Sequence, residues 1–386
     1  MRENAVIIGA GQAAAQLAAS LRQGAFDKPI SIIGDEPYPP YQRPPLSKKF
    51  LTDRGSPESL YLRATGFWRD HGIELHSGTA AAKVDVRQRR VLLRDGRDLD
   101  YGVLVLATGT RARSLPVPGI GLANVFSLRN IEDVRRLRPA LDHARRIAII
   151  GGGYIGLEIA SAMRGESREV TLVEAEARLM KRVMGEKGAA FFADVHRVRG
   201  VDIRLGVSLV AIEPAATALG VHLAPVGLLT VDLVLIATGA RANDELAAAA
   251  GLACDDGVLV DERAATAAPD VYAVGDCARF PSRRYGRRIR LECVQNAIDQ
   301  AKMAAAVIRG NKEPYDPVPW FWSDQYDLKL QIAGIMDGHD AAEVKGDPAA
   351  ARFSVEYRRD GRLIAVDAVN DARAYMTGRR RIAEQT

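Results

Sequence analysis

The chain contains 386 residues, of which 47% are hydrophobic and 26% charged, and its formal net charge is +5. That length is enough for two or three domains, and the composition is that of a globular protein rather than a fibrous or disordered one. No apolar run reaches the length of a bilayer span, and the first predicted strand begins too close to Met1 for a signal peptide, so we expect a cytoplasmic protein without membrane partners.

The cysteines and histidines show no pattern typical of a disulfide framework or a metal site. Cys254, Cys277 and Cys293 form no C-x-x-C pair, and the six histidines are scattered along the chain. Metal clusters and stapled folds require close, regular spacing of these residue types. We therefore expect three packing cysteines and no bound metal.

A short β-branched run followed by a glycine turn and a helix-like stretch occurs twice. One copy begins at Val6 and reads VIIGAGQAA, and the other begins at Ile147 and reads IAIIGGGYIG. In a dinucleotide fingerprint the first glycine permits the turn, the second lets the backbone approach a pyrophosphate, and the third allows close helix–strand packing. The copies predict two dinucleotide sites, formed by Gly9, Gly11, Gln12, Ala13 and Ala14 and by Gly151, Gly153, Tyr154, Ile155 and Gly156.

Acidic residues follow each fingerprint at the distance expected for a ribose contact. Asp35 and Glu36 end the second predicted strand of the first copy, and Glu174 ends the corresponding strand of the second copy. Because the Glu174 carboxylate would repel a 2′-phosphate, we expect NADH rather than NADPH at the second site. An ordinary strand–helix turn is the alternative for either motif taken alone.

Two further predicted strands, 104–106 and 234–236, end in the same sequence, Ala-Thr-Gly, which favours duplicated units over chance. A third strand ends at Gly275 and Asp276, and a helix is predicted from about 293 to 308. Cofactor contacts are expected at the two repeated strand ends, at Ala107, Thr108, Gly109, Ala237, Thr238 and Gly239.

The chain changes in character towards its C terminus, where aromatic residues and proline are dense between 315 and 326. Two stretches, 328–332 and 353–357, alternate as half-buried strands, and the Asp-Gly pair at 360 predicts a hairpin turn. With a helix predicted from 371 to 383, this region is expected to form an α+β unit.

Five segments together resemble the FAD- and NADH-dependent ferredoxin reductases of oxygenase systems, which share the fold of glutathione reductase. These segments are 43–48 (RPPLSK), 107–109, 151–158, 274–276 and 319–326 (PWFWSDQY). The resemblance implies an α/β fold with two Rossmann-like dinucleotide-binding domains and a C-terminal α+β domain. The implied boundaries are 1–112 and 242–314 for the FAD-binding domain, 113–241 for the NADH-binding domain and 315–386 for the C-terminal domain.

The resemblance also implies the route of the electrons. Disulfide reductases of this fold carry a cysteine pair where this chain has Pro44 to Lys48, so no thiol there can relay electrons. The flavin would pass them directly, one at a time, to a 2Fe–2S ferredoxin that supplies a cytochrome P-450 or a ring-hydroxylating dioxygenase. In the family a lysine matching Lys48 lies beside the flavin, where it would stabilise negative charge, and Glu158 would be its partner. The alternative is a solvated Lys48 and an ordinary helical Glu158.

Further cofactor contacts are implied by the same resemblance. Asp276 would bind the ribitol or phosphate region of FAD, Arg43 its phosphate or ring, and Trp320 with Trp322 would flank the ring, unless the two tryptophans are core residues. Glu292 and Asn296 would open a helix that faces the flavin, although a capping role is an alternative for both. The remaining expected cofactor contacts are Ala82, Val84, Arg111, Arg182, Gly275 and Val294.

Arginine is dense at 135–146, 283–290 and 379–381, which suits either an acidic ferredoxin or simply solvated surfaces. Candidate partner contacts are Arg63, Arg283, Arg284 and Arg309. We expect a monomer or weak dimer that binds no nucleic acid. Two rival functions stay open: an NADH oxidase or peroxidase of the same fold, and a flavin redox sensor resembling the apoptosis-inducing factors.

Overall fold

The computed structural model describes residues 4–53, 55–166 and 168–385, so Thr386 of the predicted C-terminal domain lies outside the described residues. The chain forms two compact units, one of 1–42, 56–111 and 241–319, the other of 43–55, 112–240 and 320–386. The cuts near 112 and 241 lie within one residue of the predicted domain boundaries. Two stretches group differently from the prediction, since 43–55 and 320–386 both belong to the second unit.

The first unit is built on a five-stranded parallel sheet whose β-branched strands are buried. In spatial order its strands are β19 (Val271–Ala273), β7 (Val103–Leu106), β1 (Ala5–Ile8), β2 (Ile30–Gly34) and β3 (Ile73–Ser77). Helices α1 (Gln12–Gln23) and α8 (Val294–Ile308) pack together mainly through alanines, whose small side chains permit close approach. The helix predicted from 293 to 308 is confirmed.

Shorter elements complete this unit. One antiparallel sheet consists of β4 (Ala81–Asp85), β5 (Arg90–Leu93) and β6 (Asp98–Asp100), and another small sheet of β18 (Val258–Leu259), β20 (Ala278–Ser282) and β21 (Arg287–Ile289). The short helices are α3 (Phe67–Asp70), α7 (Glu245–Ala249) and the 3₁₀ turns Pro57–Leu60 and Gly275–Cys277. Strands β8 (Thr110–Ala112) and β17 (Ala240–Ala242) form a two-stranded sheet.

The second unit repeats the parallel arrangement. In spatial order its sheet contains β12 (Val201–Leu205), β11 (Glu169–Glu174), β10 (Arg146–Ile150), β16 (Leu233–Ile236) and β9 (Val125–Ser127). Its helices are α4 (Ile131–His143), α5 (Tyr154–Gly165) and α6 (Glu186–Val198), together with α2 (Lys49–Thr52) and the 3₁₀ turn Pro44–Ser47. A three-stranded antiparallel sheet is formed by β13 (Ser208–Ala215), β14 (Ala218–Ala224) and β15 (Gly227–Val231).

The C-terminal part of the second unit is an antiparallel sheet with one helix. In spatial order the strands are β22 (Trp320–Gln325), β23 (Leu328–Gly334), β26 (Arg362–Val369), β25 (Arg352–Arg359) and β24 (Ala341–Asp347), and α9 (Ala372–Glu384) follows. The predicted hairpin and helix are confirmed, and so is the predicted α/β class with two parallel sheets and an α+β C-terminal region.

The expectation that 353–357 is only half-buried is wrong, because this strand is covered on both faces. On one face the ring of Phe191 from α6 packs edge-on against Phe353 at 4.8 Å. On the other face Glu356 accepts a hydrogen bond from Arg381 of α9 at 2.7 Å. Burial of both faces removes the alternation of exposure that the sequence pattern predicted.

Strand β22 runs along helix α5, which begins directly after the second glycine turn. The ring of Phe321 stacks on Tyr154 at the first residue of α5, with the ring centroids 4.3 Å apart. Further along, the backbone N–H of Tyr326 donates to Ser161 Oγ at 2.6 Å. These contacts tie the C-terminal sheet to the helix of the second fingerprint within one unit. None of the helices among the described residues is long and apolar enough to cross a membrane.

Candidate functional site

The first glycine turn has the geometry that a dinucleotide requires. Gly9 has φ +110°, and a Cβ added there would lie 2.1 Å from the carbonyl oxygen of Ala107. Gly11, the N-cap of α1, is open instead, since an added Cβ would meet nothing within 4 Å. The third position, Ala14, is fully buried beneath the turn. The space beside Gly11 is therefore left open, and this is the residue at which a pyrophosphate would approach the turn.

The second glycine turn repeats this geometry and is tighter at its third position. Gly151 has φ +112°, and its added Cβ would lie 2.4 Å from the carbonyl oxygen of Ala237. Gly153 is open like Gly11, with nothing within 4 Å. A Cβ on Gly156 would lie only 2.0 Å from the carbonyl oxygen of Gly151, so this position requires glycine.

Both helices that follow the turns leave their first N–H groups available. The N-caps of α1 and α5 make no side-chain capping hydrogen bond, and neither helix carries an acidic residue in its first turn. Amide donors and the positive end of each helix dipole therefore face the open glycines. Within the described residues this arrangement fits two dinucleotide pyrophosphates, one in each unit.

The acids predicted to bind ribose lie at the ends of the second strands. Glu174 Oε2 accepts a hydrogen bond from the N–H of Gly152 at 2.6 Å, and its Oε1 accepts one from the N–H of Glu176 at 2.8 Å. These contacts hold the Glu174 carboxylate at the rim of the second turn. Glu36 accepts a hydrogen bond from Tyr41 at 2.5 Å, while Asp35 is exposed.

The strand ends of the first unit are held by polar contacts that the sequence did not predict. Thr108 donates to the carbonyl oxygen of Asn243 at 2.6 Å, and the Asn243 amide donates back at 2.9 Å. Gly275 donates its N–H to Gln300 Oε1 at 2.7 Å, and Thr110 donates to Asp276 at 3.2 Å.

The Nε2 atom of the fully buried Gln300 has no hydrogen-bond partner among the described residues. A buried amide donor without an acceptor lowers the stability of the fold, and a bound cofactor could supply the missing acceptor. No motif marks Gln300 in the sequence, because it lies inside a helix among alanines.

The alternative role for Glu292 and Asn296, capping of α8, is wrong, and their contact with the flavin stays a prediction. The cap is Cys293, whose Sγ accepts a hydrogen bond from the N–H of Asn296 at 3.4 Å. Glu292 forms an ion pair with Arg290 at 2.8 Å. Val294 is the first residue of the helix.

Several other predicted contacts have protein partners. Arg111 forms an ion pair with Glu245 and donates to Asn243 Oδ1 at 2.7 Å. Arg43 donates to the carbonyl oxygen of Arg129 at 2.8 Å. Their binding of cofactor therefore stays a prediction.

The predicted residues on β4, at the Gly239 turn and in the aromatic segment differ in exposure. Ala82 is exposed and Val84 is buried, while Arg182 Nη2 lies 3.9 Å from the position of a Cβ on Gly239. The Trp320 ring carries the Arg379 guanidinium 5.3 Å from its centroid, and its buried Nε1 has no partner among the described residues. Its neighbour Trp322 is half-buried.

The predicted pair of Lys48 and Glu158 is present in the second unit, so the solvated alternative is wrong. Lys48 Nζ lies 2.8 Å from Glu158 Oε1, with 22% and 6% of the two side chains exposed. Ser47 donates to Glu158 Oε2 at 2.6 Å, and Ser323 donates to Oε1 at 2.7 Å. Three donors satisfy the buried carboxylate, which makes its charge tolerable there.

The two serines were missed, although both lie in segments that carry the family resemblance. Ser47 directly precedes Lys48, and Ser323 lies in the aromatic segment, far away in the sequence. Their role depends on a tertiary contact that no local pattern encodes.

The cysteines are poor nucleophiles and poor electron carriers. Burial raises the pKa of Cys254 to about 11 and that of Cys293 to about 12, and it also raises the pKa of Cys277. All three are free thiols, and no metal-ligating cluster occurs among the described residues. Thiolate chemistry therefore has no support in this chain.

Two dinucleotide turns without a reactive thiol define a pyridine-nucleotide oxidoreductase with a second dinucleotide cofactor. Residues 3–301 match the family model "Pyridine nucleotide-disulphide oxidoreductase", and residues 320–386 match "Reductase C-terminal". The chain belongs to the pyridine nucleotide-disulphide oxidoreductase family. It is a flavoprotein oxidoreductase of the predicted glutathione-reductase-like fold, and the predicted cofactors, FAD and a nicotinamide dinucleotide, are confirmed.

Similar proteins match over nearly the whole chain. The 5,5′-dehydrodivanillate O-demethylase ferredoxin reductase subunit of Sphingobium sp. is 42% identical over 99% of this chain and 93% of that protein. Putidaredoxin reductase of Pseudomonas putida is 41% identical over 95% and 89%. The solved covalent putidaredoxin reductase–putidaredoxin complex matches with a TM-score of 0.95 and 40% identity, over 99% of this chain and 93% of that one.

Proposed function

We propose that this flavoprotein is an NADH-dependent ferredoxin reductase that delivers electrons singly to a 2Fe–2S ferredoxin. The observation that carries the proposal is the 43–48 segment, which contains no thiol and whose Lys48 forms an ion pair with Glu158 of α5. Full-length similarity to proteins named as ferredoxin reductases of oxygenase systems supports it. The ferredoxin would in turn supply a cytochrome P-450 or a ring-hydroxylating dioxygenase.

Bound FAD supplies a two-electron acceptor for NADH and a one-electron donor for an iron–sulfur centre. The residues of the protein would bind and orient the two cofactors. The open glycines Gly11 and Gly153, with the helix N-termini behind them, would hold the two pyrophosphates. Glu174 repels a 2′-phosphate and so favours NADH over NADPH. Lys48 would supply positive charge to the flavin, and Glu158 would hold the lysine in place through their ion pair.

The rival functions have less support. Oxidases and peroxidases of this fold use a reactive cysteine, whereas burial raises the pKa of all three thiols here. A nucleic-acid-binding sensor would need a free basic surface, but arginines in the first cluster are paired. Arg135 and Arg136 bind Glu132 and Asp133 within α4.

We propose an acidic ferredoxin as the partner, because the chain carries a net charge of +5. The test is NADH-dependent reduction of cytochrome c by purified holoenzyme, with and without an added 2Fe–2S ferredoxin, over a range of salt concentrations. We expect a requirement for ferredoxin that weakens as salt rises. Equal rates without ferredoxin, or stoichiometric conversion of oxygen to water or peroxide, would contradict the proposal.

A lysine pair gives a sharper test of the site. Lys48→Met should slow anaerobic flavin reduction by NADH at least about tenfold, which corresponds to a loss of about 1.4 kcal/mol in stabilisation of the developing negative charge. Lys49→Met is the matched control, because this neighbouring side chain is 85% exposed. Stopped-flow absorbance measures both rates, and the bound FAD content shows that the cofactor is retained. Equal rates for the two variants would rule out the proposed role of Lys48.

A further inference from the structure

A chain of buried hydrogen bonds extends from Glu158 away from Lys48, entirely within the second unit. Ser323, which donates to Glu158, receives a hydrogen bond from Gln325 Nε2 at 3.3 Å. Gln325 Oε1 lies 2.9 Å from His196 Nε2. Ser323, Gln325 and His196 are all fully buried. Three polar side chains to which the sequence assigned no role are therefore linked to the lysine–glutamate pair.

The outer end of this chain lies at Tyr326. Its hydroxyl is 3.2 Å from His196 Nδ1, and the guanidinium of Arg199 is 4.5 Å from the centre of its ring. Burial lowers the pKa of His196 and outweighs the opposing effect of the Gln325 hydrogen bond, while the positive charge of Arg199 adds to the lowering. The imidazole is therefore neutral, with one nitrogen as donor and the other as acceptor.

The direction of every hydrogen bond follows from the carboxylate. Ser323 has a single hydroxyl hydrogen, which it gives to Glu158, so Gln325 must donate its amide hydrogen to Ser323. The carbonyl oxygen of Gln325 then faces His196, whose Nε2 must carry the hydrogen. The Nδ1 atom of His196 is left to accept from Tyr326. All donors point towards Glu158, and aligned hydrogen bonds polarise and strengthen one another.

The series of hydrogen bonds is suited to positioning the Glu158 carboxylate rather than to conducting protons. An amide lies in its middle, and an amide does not pass protons along as a series of hydroxyls or carboxyls does. Its effect must therefore be on where the Glu158 carboxylate sits. That matters for Lys48, because Glu158 Oε1 accepts from both Ser323 and Lys48.

We propose that Gln325 and His196 are positioning residues that fix the Glu158 carboxylate through Ser323 and so hold the ammonium group of Lys48 in place. The inference rests on the proposed function only for its catalytic consequence. Without the outer donors, Ser323 can turn its hydroxyl away from Glu158, and Lys48 loses a fixed partner.

The test measures the reactivity of Lys48 directly, in the holoenzyme. An acylating reagent modifies lysines, and mass spectrometry compares the modification rate of Lys48 with that of Lys49 in the same sample. In Gln325→Leu we expect the rate at Lys48 to rise about fivefold, the size expected for one lost hydrogen bond, and the rate at Lys49 to stay unchanged. His196→Phe should act in the same direction, and His196→Gln, which keeps an N–H donor, should restore part of the wild-type protection.

Phe353→Leu is the control for a general loosening of the packing. Phe353 is buried in the same sheet and takes no part in the series of hydrogen bonds from Glu158 to Tyr326. It should leave the Lys48 rate unchanged. Nitrogen-15 NMR of the wild-type protein gives a second readout that needs no variant, and it should show His196 with its hydrogen on Nε2. Hydrogen on Nδ1, or an unchanged Lys48 rate in a folded Gln325→Leu protein, would overturn the proposal.

Flavin reduction separates this inference from the function on which it draws. Faster acylation of Lys48 together with slower flavin reduction supports both. Faster acylation with an unchanged rate of reduction supports the positioning role and contradicts the catalytic role of Lys48.

Discussion

The two glycine turns adopt the same backbone but are stabilised in different ways. Gly9 and Gly151 have nearly equal φ angles, +110° and +112°, and each packs against the carbonyl oxygen of a neighbouring strand. At the third position the first turn accepts Ala14, whereas a Cβ on Gly156 would collide with the backbone.

The acids differ as well. Glu174 is hydrogen-bonded to the glycine turn itself, through the N–H of Gly152, whereas Glu36 is bound by the side chain of Tyr41. The second turn is thus fixed by contacts within the turn and its acid. The first depends more on the alanine packing of α1 against α8. The same motif can therefore be stabilised in different ways, and the two turns should respond differently to substitution. These responses can be measured.

The largest expected effect separates the two sites. An alanine at Gly11 or Gly153 meets no protein atom within 4 Å, and both residues have extended backbone that alanine adopts freely. Gly11→Ala should therefore weaken FAD binding on the order of 100-fold, because its methyl group occupies the pyrophosphate approach. Gly153→Ala should weaken NADH binding similarly and leave FAD bound.

Absorbance of the bound flavin and anaerobic NADH titration measure these affinities, and thermal unfolding of the cofactor-free proteins is the control. The unfolding midpoints should stay at the wild-type value. Weak FAD binding by the Gly153→Ala protein would show that the two turns are assigned to the wrong cofactors.

A smaller effect sharpens the contrast at the third position. Gly156→Ala should cost about 1–3 kcal/mol of unfolding free energy and raise the Kd for NADH, because the helix must shift away from the turn. Ala14→Gly, the mirror-image change, should cost about 1 kcal/mol through helix propensity and about 0.8 kcal/mol through the loss of one buried methyl group, and it should leave NADH binding unaltered. Denaturant unfolding and NADH titration check both. Equal changes in unfolding free energy and in NADH affinity in the two variants would mean that the two turns accept an alanine at the third position equally well.

The smallest effect concerns cofactor choice. Glu174→Gln keeps an acceptor for the turn but removes the charge that faces a 2′-phosphate. We expect the ratio of kcat/KM for NADH to that for NADPH to fall about tenfold, a change of about 1.4 kcal/mol. Glu176→Gln is the matched control, since that side chain pairs with Lys181 rather than with the turn. An equal ratio in the two variants would contradict the role of Glu174.

The sequence predicted the parts of the fold that are determined by residues close together in the chain. A glycine with positive φ, a buried β-branched strand and an acid at the next strand end are close in the chain, and the structure has all three in both copies. Helix α8 and the hairpin of β25 and β26 were also predicted, because periodicity and an Asp-Gly turn mark them.

Other parts depend on contacts between distant residues and leave no local signal. Strand β22 follows a segment rich in proline and aromatic residues, and its role becomes visible only when Ser323 meets Glu158, 165 positions away. The cap of α8 by Cys293 was missed because a thiol is a rare capping group. Partners at such distances are decided by tertiary packing.

The raised pKa values of the three cysteines also bear on chemical durability. A thiol at or above pKa 11 exposes almost no thiolate near neutrality, and the thiolate is the form that peroxide and alkylating agents attack. The three thiols of this chain therefore offer such reagents very little thiolate to attack.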